Sequence, residues 1–195
     1  EKWTLEQWGH DVYDFCEVLQ IKKPIVAGIS FGGWVALSYA NKYPNHAKTL
    51  ILCHTEAKVD IEVRKKAYAH KAELLGQDGN EISAVVQRLF EWHENTNTKE
   101  LYIKHCLPLY STKPYNSDDF AQCIQNTAIW DIFGRKQFKF YFLPLLHVIK
   151  NPVLVLTGEH DPEHPPEFSK EMADKLLHAK LVVMEGAGVP VYREK

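Results

Sequence analysis

The stretch Gly28-Ile29-Ser30-Phe31-Gly32 is the part of this sequence best equipped to do chemistry. A serine hydroxyl becomes a nucleophile only when it is held clear of its neighbours and served by a base. The pattern G-x-S-x-G meets the first condition when a strand runs into it and a helix runs out. Here "PIVAGI" precedes the serine and "GGWVALSYANKY" follows it. A bulky side chain at either glycine is expected to clash, and the strained turn lifts the Ser30 hydroxyl above the sheet edge. The helix N-terminus faces the same spot, so the backbone N–H of Phe31 can donate to a developing oxyanion. Ser30 is the candidate nucleophile and Phe31 the candidate oxyanion donor. The plainer alternative is that the glycines only allow close packing of strand on helix.

The elements that must position these groups follow from periodicity. Residues 4–20 predict a helix, with Thr4 and Gln7 at capping-box spacing and Leu5, Trp8, Val12, Phe15 and Leu19 at helical intervals. The run at 24–29 is too short for a helix and rich in β-branched residues, which predicts a strand buried on both faces. A second helix stops before Pro44, and "KTLILCH" at 48–54 predicts a second buried strand. From 58 to 148 charged helical stretches follow one another without a convincing strand. Strands return near 152–157 and 180–184, separated by a helix at 166–178. The fold class expected is therefore α/β, a mostly parallel sheet flanked by helices. Its core is 1–57 with 149–195, and 58–148 is an all-helical cap.

Composition narrows the function classes. The chain has 195 residues, 45% of them hydrophobic, and a formal net charge of −2. That balance argues against general affinity for nucleic acid or an anionic membrane, both of which need a basic surplus. No apolar run approaches the roughly 20 residues of a membrane span. Residues 1–20 are amphipathic and carry acids, unlike a signal peptide. Cys16, Cys53, Cys106 and Cys123 form no Cys-x-x-Cys pair and are read as reduced, mostly buried thiols of a cytoplasmic protein. No cofactor is expected. The histidines of "EHDPEH" make a weak metal site, because Pro162 and Pro165 argue against the helix that would align His160 with His164.

With the turn at 28–32, the helical insert, "LVLTGEHDP" at 154–162 and "MEGAGVPVYRE" at 184–194, the sequence resembles the α/β-hydrolase superfamily over its whole length. The resemblance implies a serine hydrolase in which Asp161 orients the base. It also implies a histidine after the last strand, in a stretch such as G-A-G-H. Here that stretch is Gly186-Ala187-Gly188-Val189, and valine stands where the base should be. Loss of that histidine costs about a million-fold in turnover, or about 8 kcal/mol. Among the ten histidines His54 is the better substitute, since it ends the strand next to the turn; His160 adjoins Asp161 and is expected to point elsewhere. Four strands are visible where the family core has eight, which favours a segment of a longer protein, because a four-stranded remnant leaves an apolar edge bare.

The insert carries Phe90, Trp92, Tyr102, Tyr110, Phe120, Trp130, Phe133 and Tyr141. A cap with such side chains would enclose a small apolar or aromatic molecule, although for each residue singly a place in the cap's own core is the better reading. "HENTNTKELYIKHCLPLYS" and "DPEHP" look like the proline-iminopeptidase-like branch, which usually has tryptophan where Phe31 stands. "GISFGG" looks more like the enol-lactone, ester and carbon–carbon-bond hydrolase branches. The substrate class stays open between small esters or lactones and N-terminal peptide bonds, as does the oligomeric state. The competing reading is a hydrolase-like protein that binds a small molecule without turning it over. A nucleotide-binding domain is excluded, since "GISFGG" has neither the P-loop lysine nor G-x-G-x-x-G spacing.

Overall fold

The computed structural model describes residues 3–90, 100–112 and 140–194. Four strands, β1 (Ile25–Ile29), β2 (Thr49–Cys53), β3 (Val153–Gly158) and β4 (Ala179–Met184), form one sheet in the order β1-β2-β3-β4. All three pairings are parallel. The expected α/β class and the four strand positions are therefore found, and the chain departs from the sequence reading in how the strands are covered.

Register explains the covering. Val26, Leu50, Val153 and Ala179 lie opposite one another across the sheet, as do Gly28, Leu52, Val155 and Leu181. Both rows point to the same face. There they meet α2 (Phe31–Lys42), α5 (Pro166–Lys175) and a 3-10 turn at Leu143–Val148. Leu37, Tyr39, Leu50, Leu52, Leu146, Val155 and Met172 are fully buried in this core. Leu143 and Leu146, placed by sequence within the 58–148 insert, thus belong to the packing of the sheet.

The opposite face is thinly covered. β1 is the sheet's edge among the described residues, with Ile25 63% and Ile29 45% exposed, so the expectation of burial on both faces is corrected. Among the described residues this face is closed at its far end, where Cys53 packs with Ala187 and Val191. Val191 opens the short helix α6 (Val191–Glu194).

Helix α1 (Leu5–Val18) begins as expected, the Thr4 hydroxyl accepting from the Gln7 backbone N–H at 3.1 Å. The capping box stays half-formed, because the Gln7 side chain donates to Asp11 instead. The buried stripe also differs from the predicted one. Gly9 and Cys16 are buried while Phe15 and Leu19 are exposed. A Cβ on Gly9 would lie 2.7 Å from the Tyr39 backbone N. That close approach to α2 fixes which side of α1 turns inward.

Two helices of the insert are described, α3 (Ile61–Leu74) and α4 (Gly79–Phe90), followed by a π-helical turn at Tyr102–Cys106 and a 3-10 turn at Leu107–Leu109. Their shared core includes Tyr68, Ile82, Val86, Cys106 and Leu109. Part of the stretch expected to be helical, 91–99 and 113–139, lies outside the described residues, and with it the side chains of Trp92, Phe120, Cys123, Trp130 and Phe133. Cys16, Cys53 and Cys106 are free and buried. No described helix is long and apolar enough to cross a membrane.

Candidate functional site

Ser30 sits between β1 and α2 with φ 50° and ψ −120°, a left-handed conformation that costs a non-glycine residue about 1–3 kcal/mol. Its backbone is held on both sides. Its N–H donates to the Cys53 carbonyl at 2.9 Å, and its carbonyl accepts from Gly33 N–H at 2.8 Å and from the Thr55 hydroxyl at 2.9 Å. The Ser30 hydroxyl does not cap α2 and is left for other work. Phe31, the first residue of that helix, rests edge-on against Trp8 and Trp34.

The glycines divide differently from the sequence reading. A Cβ on Gly28 would stand 2.4 Å from the Gly32 carbonyl oxygen, so glycine is required there. At Gly32 a Cβ would meet nothing within 4 Å, which corrects the expected clash. The crowded neighbour is Gly33, whose Cβ would lie 2.3 Å from Thr55 Oγ1.

Because Ile29 pairs with Cys53, Ser30 and His54 leave the sheet side by side. His54 also has a positive φ, 46°, and its N–H donates to the Leu156 carbonyl at 2.9 Å. The ring therefore turns toward the β3 side. There Nδ1 lies 2.6 Å from Asp161 Oδ2, with neither side chain exposed. Asp161 Oδ1 accepts from the backbone N–H groups of Glu163 at 2.9 Å and His164 at 2.7 Å. Both carboxylate oxygens are thus committed to the loop and to His54.

At the other side of the ring the Val191 backbone N–H meets Nε2 at 3.0 Å. Burial opposes a charged His54, but the Asp161 hydrogen bond, helped by Cys53, outweighs it and holds the pKa up at about 9. The Val191 amide pulls the other way. It needs a lone pair at Nε2, so the bonded geometry is that of the neutral ring with its proton on Nδ1. An N–H donor facing an imidazolium N–H would be repelled, and the contact is the stricter constraint on the ring as it stands.

The other histidines near the acid are differently placed. His164 is buried, and that burial pushes its pKa down to about 3, which makes it a neutral packed residue. His160 faces Glu159 at 3.9 Å, and its side chain is 36% exposed. The Val189 backbone N–H donates to the Tyr110 carbonyl at 2.7 Å, so the 186–189 loop is firmly seated although its side chain cannot act as a base. No cluster of metal-ligating side chains occurs among the described residues.

A second buried polar group lies beside this pair, and sequence reasoning missed it. Arg64 on α3 contacts Glu56 Oε1 at 2.5 Å and Glu163 Oε1 at 2.9 Å. The hydroxyls of Tyr68 and Tyr102 both reach Glu163 Oε2, at 2.5 and 3.1 Å, and Tyr110 bonds to Tyr102. Burial raises the Glu56 pKa to about 7, with Arg64 opposing the rise. The only trace in sequence is a glutamate two positions after His54 and another two after Asp161. Arg64 itself is hidden in the charged run "IEVRKKAYAHK".

The alpha/beta hydrolase fold family matches residues 2–194 of the chain. Over 186 residues the chain is 28% identical to the proline iminopeptidase PfmaB of Pestalotiopsis fici, a match covering 89% of this chain and 63% of that protein's length. Among solved structures, a proline iminopeptidase of Mycobacterium smegmatis superposes with a TM-score of 0.70 at 20% identity, covering 99% of this chain and 67% of that one. The enol-lactonase of Burkholderia xenovorans LB400 gives 0.60 at 21% identity, with coverages of 95% and 66%. With the serine turn, the parallel sheet and a match running almost from end to end, this chain belongs to the alpha/beta hydrolase fold family.

Proposed function

We propose that the chain is a serine hydrolase scaffold acting on a small ester, lactone or amide, with Ser30 as nucleophile, His54 as base and Asp161 as orienting acid. The observation that carries this reading is the His54–Asp161 contact of 2.6 Å beside the Ser30 turn. In the reaction the Ser30 Oγ–C bond forms as the hydroxyl proton passes to His54 Nε2, and the Phe31 N–H faces the oxyanion. The leaving group takes that proton as its bond to the acyl carbon breaks. Water, deprotonated by the same ring, then releases the acid and restores Ser30. Helices α3 and α4 belong to a cap over this site, and residues 143–148 go with the core segments 1–57 and 149–195 beneath it. The iminopeptidase and enol-lactonase likenesses agree with a small carbonyl substrate, either an ester-like one or an N-terminal peptide bond.

One observation favours the second reading, a small-molecule binder without turnover. The Val191 amide occupies the nitrogen that must take the Ser30 proton. Hydrolysis therefore waits on release of that contact, and slow turnover is expected. The test is p-nitrophenyl acetate hydrolysis by the chain, by Ser30→Ala and by His54→Gln. Slow release of p-nitrophenol that disappears in both variants supports the hydrolase. A rate in the parent chain no faster than in Ser30→Ala overturns it in favour of the binder.

A further inference from the structure

We infer that Arg64 is a positioning residue, whose guanidinium fork ties the loop carrying His54 to the loop carrying Asp161 and so sets the contact between them. The inference rests on the His54–Asp161 pair as the working dyad of the proposed hydrolase.

The connections are short on both sides. On one, Arg64 Nη2 meets Glu56 Oε1 at 2.5 Å, and Glu56 is two residues beyond His54. Between them Thr55 donates to the Ser30 carbonyl, so the same loop also holds the serine turn. On the other side, Arg64 Nη1 meets Glu163 Oε1 at 2.9 Å. The backbone N–H of that same Glu163 grips Asp161 Oδ1 at 2.9 Å. Arg64 is 1% exposed and Glu56 fully buried, so water cannot substitute for either contact.

The chemistry of the fork matters more than its charge. Arginine presents several N–H donors in one rigid plane and can serve two carboxylates at fixed separation. Lysine would keep the charge but concentrate it at one point, and one of the two loops would lose its hold. Tyr68 and Tyr102 restrain Glu163 Oε2 from the helical side, leaving Oε1 for Arg64. α3 itself is anchored by the Asp60 carboxylate, which accepts from Val63 N–H at 3.2 Å at its first turn. The lever thus runs from a capped helix into both halves of the dyad.

Arg64→Met would strand the buried carboxylate of Glu56 and unpair the part-buried one of Glu163 and is expected to unfold, so the informative variants are Arg64→Lys and Glu163→Gln. The readout is the low-field imidazole proton of His54 in the NMR spectrum, identified by its loss in His54→Gln. In both variants that resonance is expected to shift upfield or broaden away while unfolding stays cooperative; Lys65→Met, which removes an exposed pairing with Glu62, leaves it in place. Glu56→Gln serves where either variant loses its fold. Turnover of p-nitrophenyl acetate is expected to fall roughly tenfold to a hundredfold in kcat, with KM unchanged. A resonance unmoved in the folded variants overturns the inference, as does a parent spectrum with no low-field proton from His54. If the parent has no Ser30-dependent turnover, the hydrolase reading falls, while the resonance still decides the role of Arg64.

Discussion

His54 Nδ1 stands 2.6 Å from Asp161 Oδ2 although 107 positions separate them in the chain, and both side chains are fully buried. A buried pair of this kind is costly to break from one side. Removing one partner leaves the other without compensation, whereas the intact pair is close to neutral.

Asp161→Asn is therefore expected to destabilise the chain by about 3 kcal/mol, measured by urea unfolding. The reason is geometric. The Glu163 and His164 amides require an acceptor at Oδ1, so the new NH2 group must face His54. The ring would have to move its proton to Nε2, against the Val191 N–H. A loss below about 0.5 kcal/mol would show that the pair does not constrain the ring.

Restoring a histidine at 189 is expected to do little alone. In Val189→His the acid remains held by His54, and the new imidazole finds no partner to orient it. Combining Val189→His with His54→Gly frees Asp161, and glycine accepts the positive φ at 54 without strain. The double variant is expected to hydrolyse p-nitrophenyl acetate at least tenfold faster than Val189→His. Equal rates would mean that the 186–189 loop cannot reach the acid.

The pH dependence of stability carries a signature of Glu56. Its folded pKa of about 7 lies above its ordinary value of 4.5, so the folded state holds the proton more tightly than the unfolded one. That contribution is fully present below pH 4.5 and is lost as pH rises through 7. A shift of this size is worth about 3 kcal/mol. His164, with its pKa lowered to about 3, acts in the opposite sense, favouring the fold above 6.5 and withdrawing that support as pH falls toward 3. Comparing the parent with Glu56→Gln isolates the first effect. The stability difference between them is expected to change steadily from pH 4.5 to 7 and then level off, and a difference that is flat with pH would show Glu56 to be an ordinary carboxylate.

The three glycines around the serine turn are expected to separate cleanly in thermal unfolding. Gly28→Ala and Gly33→Ala force a methyl against the Gly32 carbonyl and Thr55, at a cost of about 1–3 kcal/mol. Gly32→Ala lies in helix α2 with open space around it and is expected to be neutral or stabilising by up to about 1 kcal/mol. A large loss at Gly32 would place an unseen neighbour there.

What could be read from sequence was what is encoded locally. The serine turn, the four strands and the helices beside them are written in neighbouring residues, and the positive φ of Ser30 agrees with its flanking pattern. What could not be read was decided across the sheet. The candidacy of His54 rested only on its strand being next to that of Ser30. Its attachment to Asp161 depends on the pairing of Leu52 with Val155 and on the backbone reversal at His54. Arg64 is not legible in the sequence because a helix rich in charge gives no sign of which cation turns inward. Phe15, Ile25 and Ile29 are exposed against expectation for a related reason: apolar periodicity shows that a face is apolar, and another element has to cover it before it is buried.

The parallel order of β2 and β3 has a consequence for synthesis. Parallel neighbours cannot be joined by a tight turn, and here the crossover from β2 to β3 carries α3 and α4. During translation His54 emerges long before its carboxylate exists. At about 5–20 residues per second, the 107 positions to Asp161 take roughly 5–20 s to appear. Throughout that interval the β1–β2 pair has an open flank and an imidazole without its acid. The helices α3 and α4, whose contacts are local, can form first and carry Arg64 to the place where both loops will later meet it.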